Sequence, residues 1–122
     1  KGRIAEDGVI PARYPLHETF SPLYETRTMW NVIQSDGTLV FRWKTPFGEG
    51  TRQTIAFCKK HRKPLFLFNL ISSFDEQMDK LNEWINRLQV ERLNVAGNRE
   101  SQDPGLYEQT YRALKRFYEL YF

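Results

Sequence analysis

Thr38-Leu39-Val40-Phe41-Arg42-Trp43, followed by Lys44-Thr45-Pro46-Phe47-Gly48-Glu49-Gly50-Thr51, decides the fold. The first six residues read as a strand, the next eight as a loop with two glycines, and Thr54, Ile55 and Cys58 then share one stripe of a helix. Strand, glycine loop and helix therefore follow one another. Downstream, the helix closes in Lys59-Lys60-His61-Arg62-Lys63, cations placed where the helix dipole is negative, and Pro64 opens the apolar run Leu65-Phe66-Leu67-Phe68-Asn69-Leu70-Ile71. That run does not alternate, which predicts a strand covered on both faces, as in a parallel sheet. Upstream, Ser21-Pro22 predicts a helix start, because Ser is a favoured cap and Pro gives up an N–H that would be unpaired anyway. Leu23, Arg27, Trp30 and Ile33 keep helical spacing until Ser35-Asp36-Gly37 stops the run. Gly2, Gly8, Pro11 and Pro15 make residues 1–20 an irregular segment.

Toward the C-terminus, Ser73 with Glu76 has the form of a capping box, and Phe74, Met78, Leu81, Ile85 and Leu88 then recur with helical spacing. Leu93-Asn94-Val95-Ala96 predicts a short strand, and Gly97 to Gln102 a loop. Asp103-Pro104 reads as the cap of a closing helix carrying Tyr107, Tyr111, Leu114, Tyr118 and Tyr121. Regular alternation of helix and strand implies right-handed crossovers, hence an α/β fold with a mostly parallel sheet and helices on both sides. Ligands of such sheets bind beyond the carboxyl ends of the strands. Three loops qualify: Lys44 to Thr51, Asn69 to Ser73, and Ala96 to Ser101.

At 122 residues, 40% hydrophobic and 27% charged, the chain has the size and balance of a single soluble globular domain. No apolar run approaches the roughly 20 residues that cross a bilayer, and no secretory signal pattern opens the chain. A net charge of +3 is too small and too dispersed for a nucleic-acid binder, although it tolerates an anionic ligand. The single Cys58 cannot form an intrachain disulfide, which points to a reducing, cytoplasmic setting.

Gly48, Gly50, Thr51 and Thr54 combine glycines that let backbone N–H groups approach a phosphate with hydroxyls near a helix start; a plain turn is the equal alternative. Gly97, Arg99, Glu100 and Ser101 join a flexible backbone, a guanidinium suited to phosphate and a hydroxyl donor, against the alternative that Arg99 pairs with Glu100 or Asp103 and only braces the loop. Glu6 and Asp7, beside Gly8, have the composition of an acid/base pair or a magnesium site, but adjacent acids in a Gly-bounded loop are more often solvated turn residues. Cys58 lies on the apolar stripe of its helix, as a buried structural thiol does. His17 and His61 stand far apart and mark no metal or triad site. The tyrosines of the last helix read as a packing face, with a protein interface as the rival.

Several stretches in order along the chain resemble the putative molybdenum carrier family: Lys1-Gly2-Arg3 with Ala5-Glu6-Asp7-Gly8, Tyr14-Pro15-Leu16 with Glu18, and Arg27 with Trp30-Asn31-Val32. Ser35-Asp36 before Thr38-Leu39-Val40, Gly50-Thr51 with Thr54, and Lys63-Pro64 continue the series. It ends in Leu93-Asn94-Val95-Ala96-Gly97 with Arg99-Glu100-Ser101 and Pro104-Gly105. The resemblance implies a Rossmann-like, three-layer domain from the superfamily of cytokinin-activating phosphoribohydrolases and the DNA-processing protein. It also implies a small phosphorylated heterocyclic ligand, with molybdenum cofactor (molybdopterin) as the named candidate and a nucleotide otherwise. On that basis Gly50, Thr51 and Thr54 are expected to cradle one phosphate, Gly97, Arg99 and Ser101 another anionic group, and Arg27 with Asn31 to contact or brace the heterocycle. Related chains place a strand, a Gly-Gly-Gln-Thr-Gly type loop and a helix before the point where these residues begin. A sheet lacking that strand is expected to expose an edge and to assemble as a homo-oligomer.

Two other classes compete with noncovalent binding. One is hydrolysis of a nucleotide N-glycosidic bond, with Glu6, Asp7 or Glu100 as acid/base. Related hydrolases carry Glu three residues after the loop Thr, where this chain has Thr54, which weakens that reading. The other is a ligand-free interaction module.

Overall fold

The computed structural model describes residues 22–122. Its elements alternate throughout: α1 (Pro22–Gln34), β1 (Gly37–Arg42), α2 (Glu49–Lys60), β2 (Leu65–Asn69), α3 (Phe74–Leu88), β3 (Leu93–Gly97) and α4 (Leu106–Tyr121). The three strands form one parallel sheet in the order β2-β1-β3. This is the expected α/β, Rossmann-like arrangement. The crossover from β1 to β2 steps one place along the sheet, whereas that from β2 to β3 steps back two. Crossovers of one hand running in opposite directions put their helices on opposite faces.

Packing divides accordingly. Leu39 and Phe41 of β1 point to the face where Phe66, Phe68, Leu93 and Val95 meet Met78, Leu81 and Trp84 of α3 and Leu106, Ala113 and Phe117 of α4. Phe68 anchors this core, its ring 5.2 Å from that of Phe41 and edge-on to Phe74 at 5.6 Å. On the other face, α2 buries Thr51, Thr54 and Cys58. Thr38, fully buried between the layers, accepts a hydrogen bond from Asn94 Nδ2 at 3.2 Å and contacts the Cys58 thiol. Burial holds that thiol above its ordinary pKa, as expected of a structural cysteine.

Four sequence expectations fail here. The run from Leu65 is expected to be covered on both faces, but β2 lies at an edge of the sheet formed by the described residues and Leu67 is half exposed; it is β1, between the other two strands, whose residues Gly37 to Phe41 are all buried. An apolar run reports that a strand is hydrophobic, not that both of its faces are covered. The capping box at Ser73 and Glu76 does not form, because Ser73 is left-handed (φ 52°) and its hydroxyl makes no cap bond. Gln77 pins the preceding loop to the helix rather than capping it: its Oε1 accepts the Asn69 N–H at 2.6 Å and its Nε2 donates to the Ser72 carbonyl at 2.6 Å. The closing helix starts at Leu106, after Gly105 at φ 98°, and not at Asp103-Pro104. Its buried face is Leu106, Thr110, Ala113 and Phe117, so Tyr107, Tyr111 and Tyr118 are exposed rather than packed; Tyr121 alone of the four lies against the core.

The amino ends of the strands are tied together separately. Asp36 Oδ2 accepts the N–H groups of Glu91 and Arg92 at 2.9 and 2.8 Å, while the Asp36 N–H donates to the Arg92 carbonyl at 2.8 Å. Two donors on one carboxylate hold Asp36 below the usual aspartate pKa.

Candidate functional site

Strands β1 and β3 lie side by side, but the chain leaves β1 for α2 on one face and β3 for α4 on the other. Loops that diverge from neighbouring parallel strands open a crevice at the carboxyl edge of the sheet. Here the two loops are joined by side chains of the second. Asn98, buried at the end of β3, accepts the Gly48 N–H and the Thr51 hydroxyl on Oδ1, both at 2.9 Å. Its Nδ2 donates to Thr45 Oγ1 at 3.1 Å and to the Pro46 carbonyl at 2.8 Å. One amide thus uses both ends to hold the β1–α2 loop against the entrance of α2.

Asp103 makes the second tie. Its Oδ2 accepts the N–H groups of Lys44 and Thr45 at 3.1 and 3.4 Å. The residue is 1% exposed, and Oδ1 meets no donor among the described residues. A buried acceptor without a donor is unusual and calls for a bound water or ligand group. Further out, Gly105 carries the Trp43 ring so closely that an added Cβ would lie 2.2 Å from it, and Lys44 Nζ sits 4.4 Å over the same ring.

The helix starts differ in what they leave open. At α2, the Gly48 N-cap makes no side-chain cap bond, and a helix leaves its first N–H groups without intrahelical acceptors. Glu49 is turned to Arg52 Nη2 at 2.9 Å on the exposed side, and Arg52 Nη1 also donates to the Phe47 carbonyl at 2.7 Å. At α4, Glu100 fills the entrance: Oε2 accepts the Gly105 N–H at 2.7 Å and Oε1 the Tyr107 N–H at 2.9 Å.

The predicted residues therefore separate. Gly48, Gly50, Thr51, Arg99 and Ser101 lie on the two loops or the first turn of α2, and Gly97 is the last residue of β3, with Arg99 half-buried and Ser101 exposed. Gly97 is there for packing, since a Cβ would come within 3.2 Å of the Phe41 carbonyl. The Thr54 hydroxyl is buried and donates to the Gly50 carbonyl of its own helix at 3.2 Å. Glu100 serves α4. Arg27 and Asn31 are half-buried and one turn apart on α1, which packs against α2. Glu6 and Asp7 lie outside the described residues. The loop from Asn69 to Ser73 is organised by Gln77 rather than by the crevice. The loop-tying roles of Asn98 and Asp103 are not legible in the sequence; a buried-type amide directly after the strand-ending Gly97 is the one signal for Asn98.

The circularly permutated YpsA SLOG family model matches residues 1–118. The chain belongs to that family. It is also similar to a solved structure from Syntrophus aciditrophicus SB, a putative molybdenum carrier protein. The two chains are 33% identical with a TM-score of 0.73, and the match covers 95% of this chain and 73% of the other. No curated protein matches. Family and neighbour together support a molybdenum-carrier-like member of the SLOG group with a ligand-binding role. Among the described residues no helix is long and apolar enough to cross a membrane.

Proposed function

We propose that this chain holds a small phosphorylated heterocycle noncovalently, a nucleotide or molybdopterin, in the crevice between the β1–α2 and β3–α4 loops. The observation that carries the reading is the divergence of those loops from adjacent parallel strands, the position where open α/β sheets bind ligands. The α2 entrance suits the phosphate, through the first-turn N–H groups around Gly50 and the positive end of the helix dipole. Arg99, on the facing loop, supplies a guanidinium for a second anionic oxygen. Asp103 Oδ1 is the acceptor suited to a ring N–H. When molybdopterin is the ligand, the dithiolene of the pterin supplies the metal-binding chemistry, and Gly50, Thr51 and Arg99 would hold its phosphate. Cys58 lies near Thr38, toward the amino end of the sheet, and is no part of that site.

Binding is favoured over N-glycoside hydrolysis by the state of Glu100, whose two carboxylate oxygens are engaged by the backbone of α4. A general acid/base must reach the sugar carbon. Calorimetry with guanosine monophosphate, adenosine monophosphate and anaerobic molybdopterin tests the proposal on the wild type, Arg99→Ala and Thr51→Val. Arg99→Ala weakens binding about tenfold, the loss of a charge-assisted hydrogen bond. Thr51→Val weakens it less, through the Asn98 tie. Equal affinity in all three proteins, each with a cooperative melt, would remove the site.

A further inference from the structure

α4 carries two apolar stripes: one is buried in the core, and of the other only Leu114 packs partly against it, leaving its tyrosines exposed. Leu106, Thr110, Ala113 and Phe117 face the sheet. Tyr107, Tyr111, Leu114 and Tyr118 form a second line with spacings of four, three and four, and its three tyrosines are 46, 57 and 65% exposed. That is the spacing of a helix–helix seam. We infer that the seam pairs with the same seam of a second copy, the two α4 helices running antiparallel.

The charges beside the seam select both the orientation and the register. Glu108 and Lys115 are exposed on the flank away from the core, seven residues apart and so at equivalent positions. In a parallel pair, this flank faces the other flank of the partner helix, which is Thr110 and Phe117, both buried in the partner's own core. In an antiparallel pair, the charged flanks of the two helices face each other. With Tyr107 opposite the partner's Tyr118 and Tyr111 opposite the partner's Leu114, each Glu108 falls next to the partner's Lys115. The contact then occurs twice by symmetry. Sliding one heptad one way sets Glu108 against the partner's Glu108, and sliding the other way sets Lys115 against the partner's Lys115. Like charges at such positions are destabilising. Of the three registers one is attractive, and it is also the one that overlaps all four seam residues.

The groups present in one copy are compatible with this. Glu108 bridges Arg112 at 3.0 Å, an exposed pair of small value by itself, and Lys115 has no ion-pair partner among the described residues. The seam is made of tyrosines, which suit an interface because the ring is apolar and the hydroxyl stays wet.

Sedimentation equilibrium on the full chain at low salt tests the proposal through charge reversal. The wild type sediments as a dimer at micromolar concentration. Lys115→Glu and Glu108→Lys each place two like-charge contacts in the interface and raise the dissociation constant about tenfold or more. The combination Glu108→Lys with Lys115→Glu restores it to within about threefold of the wild type, because the pairs reform with their signs exchanged. Tyr111→Glu, at an exposed position, yields a monomer that still unfolds cooperatively, its melting temperature no longer rising with protein concentration. A wild type that is monomeric at these concentrations overturns the proposal, and so does a double reversal no tighter than the single ones. Ligand affinity in the crevice is the same in every variant, so this result stands or falls apart from the binding result.

Discussion

Asp36 shows how a single carboxylate can brace the sheet at the end opposite the crevice. Its pKa is lowered chiefly by the Arg92 and Glu91 N–H groups, with Lys63 adding a favourable charge. A carboxylate with a depressed folded pKa contributes stability that is complete above its unfolded value and is lost as pH falls through the folded one. Asp36→Asn retains an acceptor oxygen but not the charge. Thermal melts of the two proteins should therefore differ near neutral pH, with the variant less stable, and converge as pH drops below about 4, the unfolded aspartate value. A difference that persists undiminished in acid would show that charge is not the source. Cys58 gives a second test at this scale. Its thiol is buried and its pKa raised by desolvation, so a thiol reagent at neutral pH should leave the native protein unlabelled and label one cysteine per chain in denaturant.

Among the elements, the ends of α3 and α4 contrast two residues with positive φ. Gln89 ends α3 at φ 54°, where a side chain costs about 1 kcal/mol. Gly105 precedes α4 at φ 98° under the Trp43 ring. Chemical denaturation should find Gln89→Gly more stable by about 0.5 kcal/mol and Gly105→Ala less stable by about 2 kcal/mol or more, the strain and the Trp43 clash adding. Opposite signs for the two substitutions are required. The same elements show what the sequence could reveal. Helical spacing, apolar runs and the turn residues between them located every strand and helix among the described residues, because those signals are set by the residues themselves. They could not distinguish the two apolar stripes of α4, since Tyr111 and Phe117 are equally hydrophobic to a periodicity and only the sheet decides which one it covers. The cap signal at Asp103 was overridden by distant partners, Lys44 and Thr45, nearly sixty residues earlier, and that at Ser73 by its left-handed backbone. The glycine loops and Arg99 were legible as parts of a site because their composition carries the chemistry. Asn98 was not, because its four partners come from another loop.

At the scale of the whole molecule, the two ends of the sheet divide the labour. The amino end is closed by Asp36, while at the carboxyl end the loops after β1 and β3 part toward opposite faces and are held by Asn98 and Asp103. A ligand is therefore expected at the carboxyl end, and chemical-shift mapping locates it. The amide spectrum is followed while guanosine monophosphate, adenosine monophosphate and molybdopterin are titrated in turn. At least one of them should move the amides of Gly48, Gly50, Thr51, Gly97 and Arg99 in a saturable way, and leave those of Gly37, Glu91 and Arg92 at the other end unmoved. Saturable shifts centred on the Asp36 end or on the tyrosines of α4, or no shifts with any of the three, would contradict a ligand site in the crevice.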